Sequence, residues 1–186
     1  MVGLSGLWMP IAVSAVFVFI ATMIVHMLPG WHKSDMAAVP GEAKFMETTR
    51  GLNVPPGEYR FPFSNDTKEM QSPEWDAKMT QGPVGVMSVA PNGPMPFGKM
   101  LGLWFAYSLF ISLVAAYVTG RTHAQGAPFA DVFCTSTVVA FCSYVLALWQ
   151  RWIWWGQGTR YTITYSVDGI IFALVTGATF GWLWPK

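Results

Sequence analysis

The sequence predicts an all-α membrane protein: about four transmembrane helices, with a long polar loop containing short helices between the first and second. Three observations predict it. Of 186 residues, 53% are hydrophobic and only 11% are charged, against about 25% charged in soluble domains. So few charges cannot coat a water-facing surface. Four apolar stretches approach the roughly 20 residues that cross a bilayer as a helix. The charges gather instead between Trp31 and Phe97, which holds eight of the ten acids and six of the eleven basic residues. The chain therefore divides into a first spanning helix (1–30), a polar loop or membrane-surface segment (31–97) and three further helices (98–186).

The first helix is expected from about Leu7 to Leu28, with Pro10 near the first turn, where proline is tolerated, and Pro29-Gly30 as its stop. Its apolar run exceeds the roughly 7–15 residues of a signal-peptide core and lacks a basic start and a small-residue cleavage site, which predicts a retained anchor. In the polar segment, GEAKFMETTRG predicts a short amphipathic helix between Gly41 and Gly51, with Phe45 and Met46 on one face. LNVPPGEYRFPF is extended or turn-like because of its prolines. SPEWDAKMTQG carries Ser72 as N-cap and Pro73 at the first helical position. GPVGVMSVAP is a candidate strand or lipid-surface segment. These pieces are too short for an independent core and are expected to lie against the membrane or a partner.

The second helix is expected from about Lys99 to Val118, ended by Gly120, and the third from about Phe129 to Trp149, opened by Pro128. The connection that follows sets Trp149, Trp152, Trp154 and Trp155 around Arg151, an interfacial aromatic belt, with Trp182 and Trp184 as its counterpart on the other side. The fourth helix is expected from about Val167 to Trp184, with Ser166 as N-cap and Asp168 in the first turn, favourable to the helix dipole. Gly177 and Gly181 form a small-xxx-small pair that permits close helix packing in lipid. Lys33, Lys44, Lys99, Arg151 and Arg160 fall on the side of the long loop, against Arg121 and Lys186 on the other. That imbalance places the loop in the cytoplasm and both termini outside.

A formal net charge of +1 is too small to attract nucleic acid. Cys134 and Cys142 lie eight residues apart in one apolar helix, about 12 Å of rise, beyond disulfide reach. No thiolate metal motif, nucleophile elbow, phosphate loop or zincin motif is present, so no enzyme is expected. The most suggestive polar segment is the exit of the first helix. His26 could serve as axial ligand to haem, a chlorin or copper, with Met23, Met27 and His32 nearby. His123 falls on the opposite side, which leaves no facing partner for a bis-histidine haem. His32, Lys33 and Asp35 are read as a polar membrane end that caps the next element and touches lipid phosphates. Acids within spans are functional candidates, but Asp131 and Asp168 fall near opposite faces and form no relay.

VHMLPGWHKSD, AKFMETTRGLNVPPGEYRFP, GPVGVMSVAPNGPM leading into GKMLGLWF, IWWG and VDGIIFALVTGATFGWLWP together resemble a family of small four-helix bacterial inner-membrane proteins with no assigned activity. The resemblance covers most of the chain and implies the helix arrangement; it carries no catalytic residue. The functional expectation is a non-enzymatic accessory subunit of a bacterial inner-membrane energy-transducing complex, respiratory or photosynthetic, bound to lipid and to other integral membrane subunits. The alternatives are a cofactor-binding membrane protein using His26 and a small transporter.

Overall fold

The structure, a computed structural model, describes residues 1–27 and 30–186. Leu28 and Pro29, the expected end of the first helix, lie outside the described residues. A short 3-10 turn, Leu4–Leu7, runs into α1 (Trp8–Met27). After Gly30 a second 3-10 turn covers Trp31–Ser34. Then follow α2 (Glu42–Gly51), β1 (Gly57–Phe61), α3 (Pro73–Gln81) and β2 (Gly85–Val89). The remainder is helical: α4 (Phe97–Thr122), α5 (Phe129–Phe141), a π-turn (Cys142–Leu146), α6 (Ala147–Trp155) and α7 (Thr159–Trp182).

Among the described residues, four helical stretches are long and apolar enough to cross a membrane: Leu4–Met27, Phe97–Thr122, Phe129–Trp155 and Thr159–Trp182. The chain forms two compact units, Met1–Met36 with Pro96–Lys186, and Ala37–Met95. In the first, α1 packs on α4 and α7, and α5 packs on α4 and α7. Val2, just ahead of the first span, meets Gly120 near the end of α4, and Phe129 at the start of α5 lies beside Gly181 near the end of α7, so these pairs run antiparallel. Buried hydroxyl residues line the contacts. Ser112, Ser136, Ser166 and Thr176 each donate to the carbonyl four residues back, which satisfies them inside an apolar interior and keeps the side chains small enough for close approach.

Three helix boundaries differ from expectation. Gly120 does not end α4, because the helix continues to Thr122 with Gly120 buried against Val2, whose backbone N–H donates to the Gly120 carbonyl at 2.8 Å. The third span runs through the indoles to Trp155, so Trp149, Arg151, Trp152, Trp154 and Trp155 stand on a helix rather than in a connection. The fourth span starts at Thr159, which puts Ser166 and Asp168 in its interior rather than at its cap and first turn. The polar stretch Thr159–Ser166 is helical because a spanning helix satisfies its own backbone whatever its side chains.

The second unit also departs from an all-α loop. β1 and β2 pair antiparallel, with Tyr59 opposite Met87, and Ser88 Oγ donates to Glu58 Oε2 across the pair at 2.7 Å. Ser72 caps α3 by accepting from the Trp75 N–H at 3.1 Å. No residue of this unit is buried.

Candidate functional site

Asp168 sits nine residues inside α7, roughly 14 Å of rise from its start, and is 1% exposed. The buried face of α7 repeats with helical period through Thr162, Ser166, Gly169, Phe172 and Ala173, and Asp168 lies at its edge. A carboxylate at such depth is costly unless paired or bound to a cation. What surrounds it comes from the exit of α1.

His26 occupies the last turn of α1, with Nδ1 3.0 Å from the Thr22 carbonyl. A carbonyl only accepts, so Nδ1 carries the proton and neutral His26 presents an Nε2 lone pair. Gly30, at φ 68°, occupies the left-handed region that glycine enters without steric cost and opens the 3-10 turn holding His32. There His32 Nδ1 donates to Asp35 Oδ2 at 2.7 Å. On its other edge His32 Nε2 is 3.0 Å from Asp168 Oδ2, with only 14% of the His32 side chain exposed. Arg160, in the first turn of α7, completes the surround: its Nη2 donates to the Trp31 carbonyl at 3.3 Å, and its Nε stands 3.9 Å from Asp35 Oδ1.

The two imidazoles stack, centroids 4.2 Å apart and planes 7° apart, and Tyr165 meets both rings edge-on. Ligand atoms of His26, His32 and Asp168 all lie within 4.8 Å of one another. His32 and Asp35 therefore turn inward instead of toward lipid phosphates, because the short turn after Gly30 returns the chain over α7. Met27 is 76% exposed and takes no part.

The 3.0 Å approach of His32 to Asp168 lies within ion-pair range, yet it is not aligned as a hydrogen bond. His32 Nε2 and both Asp168 oxygens are buried without a hydrogen-bond partner among the described residues. Two readings follow. In the first, His32 is protonated and bridges two carboxylates, Asp35 and Asp168, with Arg160 balancing the remaining charge; this needs no ligand. In the second, the unaligned atoms share a cation. Two donors of one ion at 2.0–2.1 Å stand roughly 2.9–3.4 Å apart at octahedral to tetrahedral angles, which covers the observed separation.

The second reading also accounts for the positions of the ring protons. Both Nδ1 atoms are held by oxygen acceptors, one a carboxylate and one a carbonyl, which is how metal-binding histidines are oriented by their outer partners. Parallel rings keep their lone pairs in parallel planes, so joint coordination requires His26 to tilt. His26 is the exposed member and is tethered by one hydrogen bond.

Comparison with protein-family models, with curated proteins and with solved structures finds no match for the chain.

The other sequence candidates lie elsewhere. Gly177 and Gly181 abut α5 of this same chain: a Cβ at Gly177 would collide with Thr137 Oγ1, and one at Gly181 would lie 2.6 Å from the Phe129 ring. Asp131 is in the first turn of α5, and His123, just past α4, pairs with Thr135 Oγ1 at 2.8 Å, away from the cluster. Lys33 follows His32 in the 3-10 turn, and its side chain passes Gly30.

Sequence reasoning missed the meeting of His26, His32 and Asp168. The only signal was an acid in an apolar helix together with two histidines six apart across a Pro-Gly break.

Proposed function

We propose that this chain is a membrane-embedded metal-binding protein that holds one divalent ion of the zinc or ferrous class through His26, His32 and Asp168. The observation that carries it is the buried Asp168 carboxylate, without an aligned hydrogen bond at either oxygen among the described residues and 3.0 Å from a His32 Nε2 whose Nδ1 is fixed by Asp35. Two imidazoles and a carboxylate match the ligand sets of zinc and non-haem iron sites. Among the described residues the cluster holds nitrogen and oxygen donors and no thiolate, which disfavours cuprous copper. The cavity beside His26, about 270 Å³, is smaller than the roughly 300–1,000 Å³ that encloses a drug-sized ligand, which disfavours an enclosed haem or chlorin.

The test is Co²⁺ titration of purified full-length protein in lipid nanodiscs, read by visible absorption, with metal analysis after loading with Zn²⁺. One ion per chain, lost in Asp168→Asn and His32→Ala, is expected. Absence of stoichiometric binding, or binding indifferent to both substitutions, leaves the protonated His32 bridge as the account of the cluster.

A second reading keeps the chain as an accessory subunit of a bacterial inner-membrane energy-transducing complex. It is favoured by α6, where Trp154 and Trp155 are 74% and 53% exposed next to half-exposed Trp149 and Trp152. Indoles at this density form an interfacial belt or a contact with another membrane subunit. Purification in a mild detergent, followed by native mass measurement, tests it: a monomer without companions removes the support. The Lys and Arg imbalance favours placing the segment between α1 and α4 on the cytoplasmic side.

A further inference from the structure

The cavity is open on one side and walled by the four rings of Trp104, Tyr107, Tyr144 and Phe172, and His26 and Asp168 also line it. The rings brace one another, with Trp104 and Phe172 centroids 5.8 Å apart at 61° and Tyr107 and Tyr144 6.0 Å apart at 82°. Trp104 is further fixed by donating its Nε1–H to Thr22 Oγ1 at 2.9 Å, and Tyr107 by donating to the Ser143 carbonyl of the π-turn at 3.2 Å. These walls suit a flat ring, because aromatic faces and edges pack in offset or edge-on contact.

Tyr107 is 44% exposed on the outer surface of a spanning helix. In a bilayer that surface meets hydrocarbon, so a molecule reaching the cavity past Tyr107 must be uncharged and lipid-soluble. At its polar end the cavity offers an acceptor in the form of the exposed His26 Nε2 lone pair, since Nδ1–H is engaged with Thr22; the Asp168 oxygens beside it are closed to solvent. An uncharged ligand answers acceptors with a hydroxyl.

We propose that this cavity binds the head-group ring of a lipid-soluble quinol, whose ring hydroxyl donates to His26 Nε2. A quinone has the same shape and only acceptor oxygens, so it meets the polar end without a proton to give. A fatty alcohol has the hydroxyl and no ring to fill the aromatic walls. About 270 Å³ accommodates one substituted ring, and the tail extends into the bilayer. The inference does not rest on metal binding, which uses His32 in addition.

The test uses full-length protein in phosphatidylcholine nanodiscs, treated with a chelator and kept anaerobic. Decylubiquinol, decylubiquinone and 1-dodecanol are titrated in turn, with retention above empty nanodiscs as the readout. Saturable quinol binding, at least tenfold tighter than quinone or dodecanol, is expected. Leu148→Trp, at another wall position, should abolish it by filling the space, and His26→Phe should erase the preference for quinol because it keeps a ring and removes the acceptor. Should Leu148→Trp fail to fold, Tyr107→Leu replaces it, with a several-fold loss expected. No saturable retention, equal affinity for quinone or dodecanol, or indifference to the folded wall variant overturns the proposal. Zn²⁺ binding is measured separately on the same preparation, so failure of either ligand is distinguishable from failure of the other.

Discussion

His32 Nε2 stands 3.0 Å from Asp168 Oδ2 without hydrogen-bond alignment, although one residue follows the first span and the other lies inside the last. The contact joins the exit of α1 to the interior of α7, and its chemistry predicts opposite effects for two substitutions. Asp168→Asn keeps the volume and supplies an amide N–H to the His32 lone pair, so thermal stability of the metal-free protein should hold within a few degrees. Its affinity for Co²⁺ should fall at least tenfold. Asp168→Ala removes the carboxylate within ion-pair range of the buried His32 Nε2 and leaves only the Asp35 contact on the other ring nitrogen, a loss of about 1–3 kcal/mol. Unfolding curves and Co²⁺ titrations of the two variants check both effects; equal Co²⁺ affinity in Asp168→Asn and the native chain contradicts the site.

In the proposed metal site Asp35 would act through His32 rather than on the ion. Its Oδ2 fixes the His32 tautomer at 2.7 Å, and outer carboxylates of this kind contribute about 10–100-fold to metal affinity. Asp35→Asn retains an oxygen acceptor for Nδ1–H, so the turn after Gly30 should survive while Co²⁺ affinity drops into that range. Asp35→Leu should lose the turn geometry as well. Unchanged affinity in Asp35→Asn would show that Asp35 serves only Arg160.

Much of the bundle was legible because its signal is local. Apolar runs of spanning length, Pro128 at a helix start and Ser72 at a cap each announce themselves within a few residues. The depth of Asp168 was not, since TRYTITYS reads as polar and hides two helical turns that the backbone alone sustains. Nor was the pairing of His26 with His32, which depends on the left-handed Gly30 and on α7 arriving beneath the turn. The β1–β2 register likewise needed both partners at once. Gly177 and Gly181 were readable as a close-packing pair, but nothing local tells whether the neighbour is this chain's α5 or another subunit.

In the second unit Ser64 Oγ donates to Glu69 Oε2 at 2.6 Å, and Lys78 Nζ lies 3.3 Å from Oε1. The Ser64 hydroxyl first, and Lys78 second, favour the charged form and hold the Glu69 carboxyl below its ordinary value. A carboxyl whose folded value is depressed contributes stability above the unfolded value and loses it as pH falls through the folded one. Carbon-13 titration of glutamate-labelled full-length protein should therefore show a lowered midpoint for Glu69. Ser64→Ala should move that midpoint up more than Lys78→Met does; the reverse order would make the ion pair the dominant partner.

Gly177 and Gly102 give opposite predictions for the same substitution. A Cβ at Gly177 meets Thr137 Oγ1 and would lie 2.9 Å from the Phe133 carbonyl oxygen, so Gly177→Ala forces α7 away from α5. Overpacking of this kind costs about 1–3 kcal/mol, and the displaced segment is the one that carries Phe180 against the buried cluster with Val132. Gly102 is interior to α4 and a Cβ there meets nothing within 4 Å. Gly102→Ala should be neutral or stabilise by about 0.5–1 kcal/mol, since alanine loses less backbone freedom in a helix. Reversible unfolding in mixed micelles separates the two, and a Gly177→Ala variant as stable as Gly102→Ala would mean that the α5–α7 contact is looser than its geometry implies.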